Sequence, residues 1–88
     1  AMEMAPQDEE LRGVLQRFMK RMSKAFAIGL DSAKGRAEVA KDVDVDAAGE
    51  LLTSTMFGLA VLGRTGFPKA TLDGIVDSTL ESLQRGTV

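Results

Sequence analysis

Asp42, Asp44 and Asp46 stand at alternate positions in KDVDVDAAGELL, the densest group of potential metal ligands in the chain. A calcium loop takes oxygens at such spacing, but it also needs glycine at its sixth place and a bidentate glutamate at its twelfth. Counted from Asp42, those places hold Ala47 and Thr53, and a threonine supplies no carboxylate. The same acids ahead of an apolar run are what a helix start requires. Asp44 serves as N-cap, Asp46 sits in the first turn, and Val43 folds against Ala48 as a hydrophobic staple. We read the run as a cap, and expect neither metal nor any other cofactor.

Other chemistry is equally poorly equipped. The chain has no histidine, cysteine or tyrosine, so the usual base near neutral pH and the usual thiol nucleophile are both missing, and the chain does not read as an enzyme. None of its glycines falls in the spacing of a phosphate loop or a dinucleotide fingerprint. Arg17, Lys20, Arg21 and Lys24 do share one helical face, as a nucleic-acid surface would, but no stacking aromatics accompany them. A solvated face is the simpler reading. Met19, Met22 and Phe26 form a soft apolar group that could wall a ligand pocket; ordinary core packing explains them as well.

With 88 residues the chain is one small domain. A domain of this size buries only roughly 60% of its unfolded surface and gains from a partner. Hydrophobic residues at 44% and charged residues at 27% are globular rather than disordered values. The formal charge of -2 is unevenly spread. Residues 12 to 36 hold Arg12, Arg17, Lys20, Arg21, Lys24, Lys34 and Arg36 against Asp31 alone, whereas acids dominate the remainder. No uninterrupted apolar run reaches the roughly 18 residues of a membrane span, and the acidic start AMEMAPQDEE is no signal peptide. A cytoplasmic location without membrane contact is the expectation. Ala1 ahead of Met2 reads as a cut or engineered start, and the chain as a fragment.

Three helices account for nearly everything after residue 8. The first spans about 7 to 34, with Leu11, Leu15, Phe18, Met22, Ala25 or Phe26, Gly29 and Ala33 as its apolar stripe, widened by Val14, Met19 and Leu30, and Gly35 as a left-handed stop. The second spans about 44 to 65. Leu51, Leu52, Thr55, Met56, Leu59 and Leu62 give it one wide apolar face, and Ala47, Ser54, Gly58, Val61 and Thr65 a second of small residues, with Phe57 beside it. A helix apolar on two faces sits between two layers. Arg64-Thr-Gly-Phe-Pro ends it, and a third helix of about 68 to 85 opens at Pro68 and stops at Arg85 and Gly86. Leu72, Ile75, Val76, Thr79, Leu80 and Leu83 form its stripe. Asp73, Asp77 and Glu81 repel one another at spacing four on its other side, so packing has to hold it. The ends of the chain are expected to be loose.

A long helix, then VDVDAAGELL, FGLAVLGRTG and PKATLDGIVDSTLESL resembles the C-terminal part of tetracycline-repressor (TetR) family transcriptional regulators, over roughly residues 11 to 84. Asp44, Ala47, Ala48, Leu51, Leu52, Gly58, Leu59, Arg64, Gly66, Leu72, Ile75, Val76 and Leu80 carry the likeness. Val45 replaces the proline that often follows the family's capping aspartate, and nothing here resembles the family's N-terminal helix-turn-helix. The resemblance implies an all-α, three-helix fragment whose last two helices form a four-helix bundle in a homodimer. It implies a repressor whose DNA contact lies in the missing N-terminal domain and whose effector is a small molecule, with no complete ligand site in this fragment. The dimer interface then falls on Ser54, Phe57, Gly58, Val61, Leu62 and Thr65 of the second helix and Leu72, Ile75, Val76, Thr79 and Leu83 of the third. Gly58 and Gly63 cost about 1 kcal/mol each inside a helix, which a close approach by a partner helix would explain. The alternative is a stand-alone helical module that binds another protein's amphipathic helix.

Overall fold

Two helix backbones come closest at Gly49. A Cβ built there would lie 2.5 Å from the carbonyl oxygen of Ser23 and 3.2 Å from the amide nitrogen of Ala27. Only a glycine lets the second helix settle onto the first at this point. In the computed structural model, which describes residues 6–86, α1 is Pro6–Gly35, α2 is Val45–Arg64 and α3 is Lys69–Arg85. The protein is all-α as expected; the expectation of loose ends falls on residues 1–5 and 87–88, outside the described residues.

Small residues on both sides make the crossing. Ser23 and Ala27 of α1 meet Gly49 and Thr53 of α2, each pair one helical turn apart. Thr53 is fully buried, and its hydroxyl donates to the Gly49 carbonyl at 2.8 Å and accepts from the Ser23 hydroxyl at 3.3 Å. Both ends of this polar contact are thus satisfied inside the packed seam. The contact buries Leu30 of the expected stripe together with Ala27, which lies outside it, and leaves Met22, Phe26 and Ala33 half-buried. Leu11, Leu15 and Phe18 of that stripe are exposed, because α2 crosses α1 at Ser23 and Ala27 and leaves the N-terminal end of α1 uncovered, while Ala25 and Gly29 are exposed on the side of α1 away from the crossing.

The connection from α1 to α2 corrects another expectation. Gly35 lies within α1, and the left-handed position is taken by Ala37 at φ 59°. The Glu38 amide donates to the Ala33 carbonyl at 2.9 Å and the Ala37 amide to that of Lys34 at 3.0 Å, the paired bonds of a Schellman stop. Asp44 then opens α2, its Oδ1 accepting from the amides of Asp46 at 3.1 Å and Ala47 at 3.2 Å. Val39, Val43 and Ala48 fold into one buried cluster with Leu30, joining the staple to the core.

Helix α3 returns along α2 but is fastened only at its far end. Pro68 stands just ahead of it as N-cap rather than inside it. Leu83 is its one buried residue, and its carbonyl accepts from the Ala40 amide at 3.2 Å. Gly86, at φ 75°, closes the helix against Asp42 and Ala40. Among the described residues α3 makes no close backbone approach to α1. The radius of gyration, 15.6 Å, exceeds the about 12 Å expected of a compact chain of this length. The α1 rod, about 45 Å for its 30 residues, spans nearly the whole 47 Å of the protein's long axis.

The apolar-run reading of membrane spans also needs correcting. Taken as a 20-residue helix, α2 is long and apolar enough to cross a membrane, with a mean hydropathy of 1.3 over its best window. Its apolarity is divided among the face on α1, the face toward α3 and the outer stripe, and a helix between two layers passes the same test.

Gly49→Ala should lower stability by up to about 2 kcal/mol, since a Cβ against a backbone oxygen puts overpacking at the upper end of about 1–3 kcal/mol, against roughly 1 kcal/mol of helix propensity gained. Gly74→Ala, where a Cβ meets nothing within 4 Å among the described residues, should raise stability by up to about 1 kcal/mol. Urea titrations of both variants check the contrast. Ala37→Gly relieves a left-handed conformation that costs a residue with a Cβ about 1–2 kcal/mol, offset in part by unfolded-state entropy. A rise in the urea midpoint equivalent to about 0.5–1 kcal/mol is expected.

Candidate functional site

The surfaces left uncovered by this arrangement are where function has to lie. On α2, Gly58, Val61 and Thr65 form a stripe on the side opposite Ala48, Gly49 and Thr53, hence turned away from α1, and Ser54 carries it to the edge of the α1 contact, where it lines a cleft with Ser23 and Lys24. All are exposed, Val61 to 61%, and a Cβ at Gly58 meets nothing within 4 Å among the described residues. Phe57 borders the stripe, and its ring meets that of Phe18 edge-on, centroids 5.4 Å apart and planes at 73°. The aromatic pair joins the outer face of α2 to the exposed apolar end of α1, where Leu11, Val14 and Leu15 lie.

Gly63 faces another way. Five residues on from Gly58, it is turned by about 140° around the helix. A single helix packed on Gly58 therefore cannot also lie on Gly63, although a Cβ at Gly63 likewise meets nothing within 4 Å. Leu83 also leaves the expected surface. At 4% exposure it is packed with Leu30, Val39, Val43 and Ala48 of its own chain.

The other expected residues of α3 divide. Val76 is exposed, while Leu72, Ile75 and Thr79 are half-buried, as is Leu62 of α2. Val76, Thr79 and Leu80 form one wall of a groove whose other walls are Leu52, Thr55, Met56 and Leu59 of α2 and Phe26 of α1. The groove is open to solvent along one side, holds about 200 Å³ and has no charged side chain in its lining. Its threonine hydroxyls are turned to their own helices, Thr55 donating to the Leu51 carbonyl and Thr79 to that of Ile75, each at 2.8 Å. Phe26 thus contributes to a pocket wall, whereas Met19 and Met22 do not join this groove.

Charge is arranged differently from a nucleic-acid surface. Lys20 and Lys24 of the basic stripe line a polar cleft with Asp46 and Glu50 of α2, leaving Arg17 and Arg21 on the far side of α1. The acids lower the local positive potential without direct ion pairs to these lysines among the described residues. On α3 the expected repulsion is relieved, since Asp73 pairs with Lys69 at 3.8 Å and Glu81 with Arg85 at 2.7 Å. Asp44 is committed to capping, and no group of three acidic side chains that could hold a metal is found among the described residues.

Sequence reasoning missed the crossing residues Ser23, Ala27, Gly49 and Thr53, because their smallness hid them from a search for large apolar side chains. Small residues one turn apart on both helices were the available signal.

The isolated chain should give no saturable anisotropy change with a short DNA duplex at physiological salt up to about 100 μM protein, the weak end of non-specific binding. Replacing both Asp46 and Glu50 by glutamine should strengthen any residual association at low salt by exposing Lys20 and Lys24 to the duplex.

Comparison with known proteins bears on the whole of this arrangement. Residues 1–79 match the family described as Tetracyclin repressor-like, C-terminal domain. No curated protein and no solved structure matches the chain. By the extent of the family match, the chain belongs to the tetracyclin repressor-like C-terminal domains.

Proposed function

We propose that this chain is the dimerisation and effector-response part of a TetR-like transcriptional repressor, acting as a cytoplasmic homodimer. The observation that carries the reading is the uncovered stripe of Ser54, Gly58, Val61 and Thr65 beside the half-buried Leu72, Ile75 and Thr79. Family membership supports α2 and α3 as the dimerising pair. In the dimer each α2 packs on its counterpart across a two-fold axis, so that Gly58 lies against the same patch of the second copy. Phe57, Leu62 and Val76 complete the contact, and Leu83, already inside its own chain, is left out of it. The domain works without catalysis: its role is to hold two DNA-reading domains at a spacing that a small effector alters. DNA contact belongs to a helix-turn-helix domain outside the sequence described.

Sedimentation tests the dimer. The chain should run as a dimer at micromolar concentration, and Gly58→Leu as a monomer with unchanged helical circular dichroism, because the added side chain fills space needed by the partner. A wild-type monomer with a well-folded spectrum would overturn the dimer, and a Gly58→Leu dimer would overturn the role given to Gly58. A chain that is partly molten alone and orders only with an unrelated amphipathic helix would favour the stand-alone interaction module.

A further inference from the structure

We propose that the groove between α2 and α3 binds a small, uncharged, hydrocarbon-like molecule bearing one hydroxyl, such as an aliphatic alcohol or a phenol. This rests on the reading of the chain as an effector-responsive domain, and gives the effector a place and a chemical class. All three helices contribute walls, with Phe26 from α1, Met56 and Leu59 from α2, and Leu80 from α3. A carboxylate or ammonium drawn between these walls would lose part of its hydration with no opposite charge among the lining side chains. The hydroxyl hydrogens of Thr55 and Thr79 are already donated to backbone carbonyls. Their oxygens keep lone pairs, so each can accept from a ligand hydroxyl but has no proton left to donate to it.

Size selects a small molecule rather than a helix. The groove's 200 Å³ is a little larger than the dry apolar cavity of about 150 Å³ that accepts benzene. A helix, about 10 Å across with its side chains, does not fit such a space. Access is available because α3 is fastened to the rest of the chain at Leu83 and Gly86, leaving the wall that carries Leu80 half-exposed at 51%. The same helix carries Leu72 and Ile75 of the proposed interface, so filling the groove acts on the element that holds the dimer.

The test labels the methionine methyl groups and titrates the chain with 1-octanol and, separately, octanoate at neutral pH, recording sedimentation of the same samples. The Met56 signal should shift saturably with octanol while those of Met19 and Met22 stay in place, and octanoate should bind at least tenfold more weakly. Leu80→Trp, filling the groove from its exposed wall, should weaken octanol binding at least tenfold with helicity unchanged. Equal shifts of Met19, Met22 and Met56, equal affinity for octanoate, or unchanged binding by Leu80→Trp overturns the site. A Met56 signal that moves on dilution and ignores octanol assigns the groove to a side chain of the second copy, which also overturns it. Sedimentation judges the dimer separately: a dimer with no octanol response removes the site alone, and a monomer whose Met56 still responds removes the dimer alone.

Discussion

The close approach of Gly49 to the Ser23 carbonyl sets the geometry from which the rest follows. With the backbones this near, neighbouring positions accept only small or well-satisfied side chains, which is why Ala48 and Thr53 are fully buried there. Threonine is tolerated because its hydroxyl turns back to its own helix and meets Ser23 across the seam. The crossing holds α2 against the C-terminal half of α1, and the larger apolar residues are displaced to the flanks of the contact rather than enclosed by it. The capped start at Asp44 and the left-handed turn at Ala37 deliver α2 to that crossing.

An imbalance follows. A tight seam of small residues buries little apolar area, and at about 25 cal/mol per Å² small side chains contribute little to stability. About half of the large apolar residues, including Leu11, Val14, Phe18, Val61 and Leu80, stay exposed. Exposed apolar surface of this extent marks an interaction surface. In the proposed dimer the outer stripe of α2 is covered by its counterpart, and the apolar end of α1, joined to that stripe through Phe18 and Phe57, lies at the edge of the same contact.

Helix α3 brings the two proposed roles together. Buried at Leu83 and no more than half-buried along the rest of its length, it borders the apolar groove with Val76, Thr79 and Leu80 and supplies Leu72 and Ile75 to the surface assigned to the partner. A wall with few contacts of its own opens at low free-energy cost, which is the property an effector-responsive element needs. Exposed ion pairs along its outer side, Lys69 with Asp73 and Glu81 with Arg85, add roughly a few tenths of a kcal/mol each to the helix without fixing it to the remainder of the chain.

The all-α class, the cap at Asp44, the stop at Gly86 and the family likeness were legible in the sequence, since each rests on local signals: turn chemistry, apolar period and residue order. The two-sided character of α2 was also visible in its pattern. Which face of α1 is buried was not, because that depends on where a second helix lands, and the landing point is set by a glycine whose value appears only when Ser23 is beside it. For the same reason the left-handed position moved from Gly35 to Ala37, dictated by the path the chain takes to reach α2. Leu83 left the partner surface because α3 is held at its far end, and Gly63 parted from Gly58 because five residues do not return to one helical face. Local chemistry chose the elements; tertiary contact, which sums distant small residues no periodicity reveals, decided which of their faces are spent inside the chain and which remain for something else.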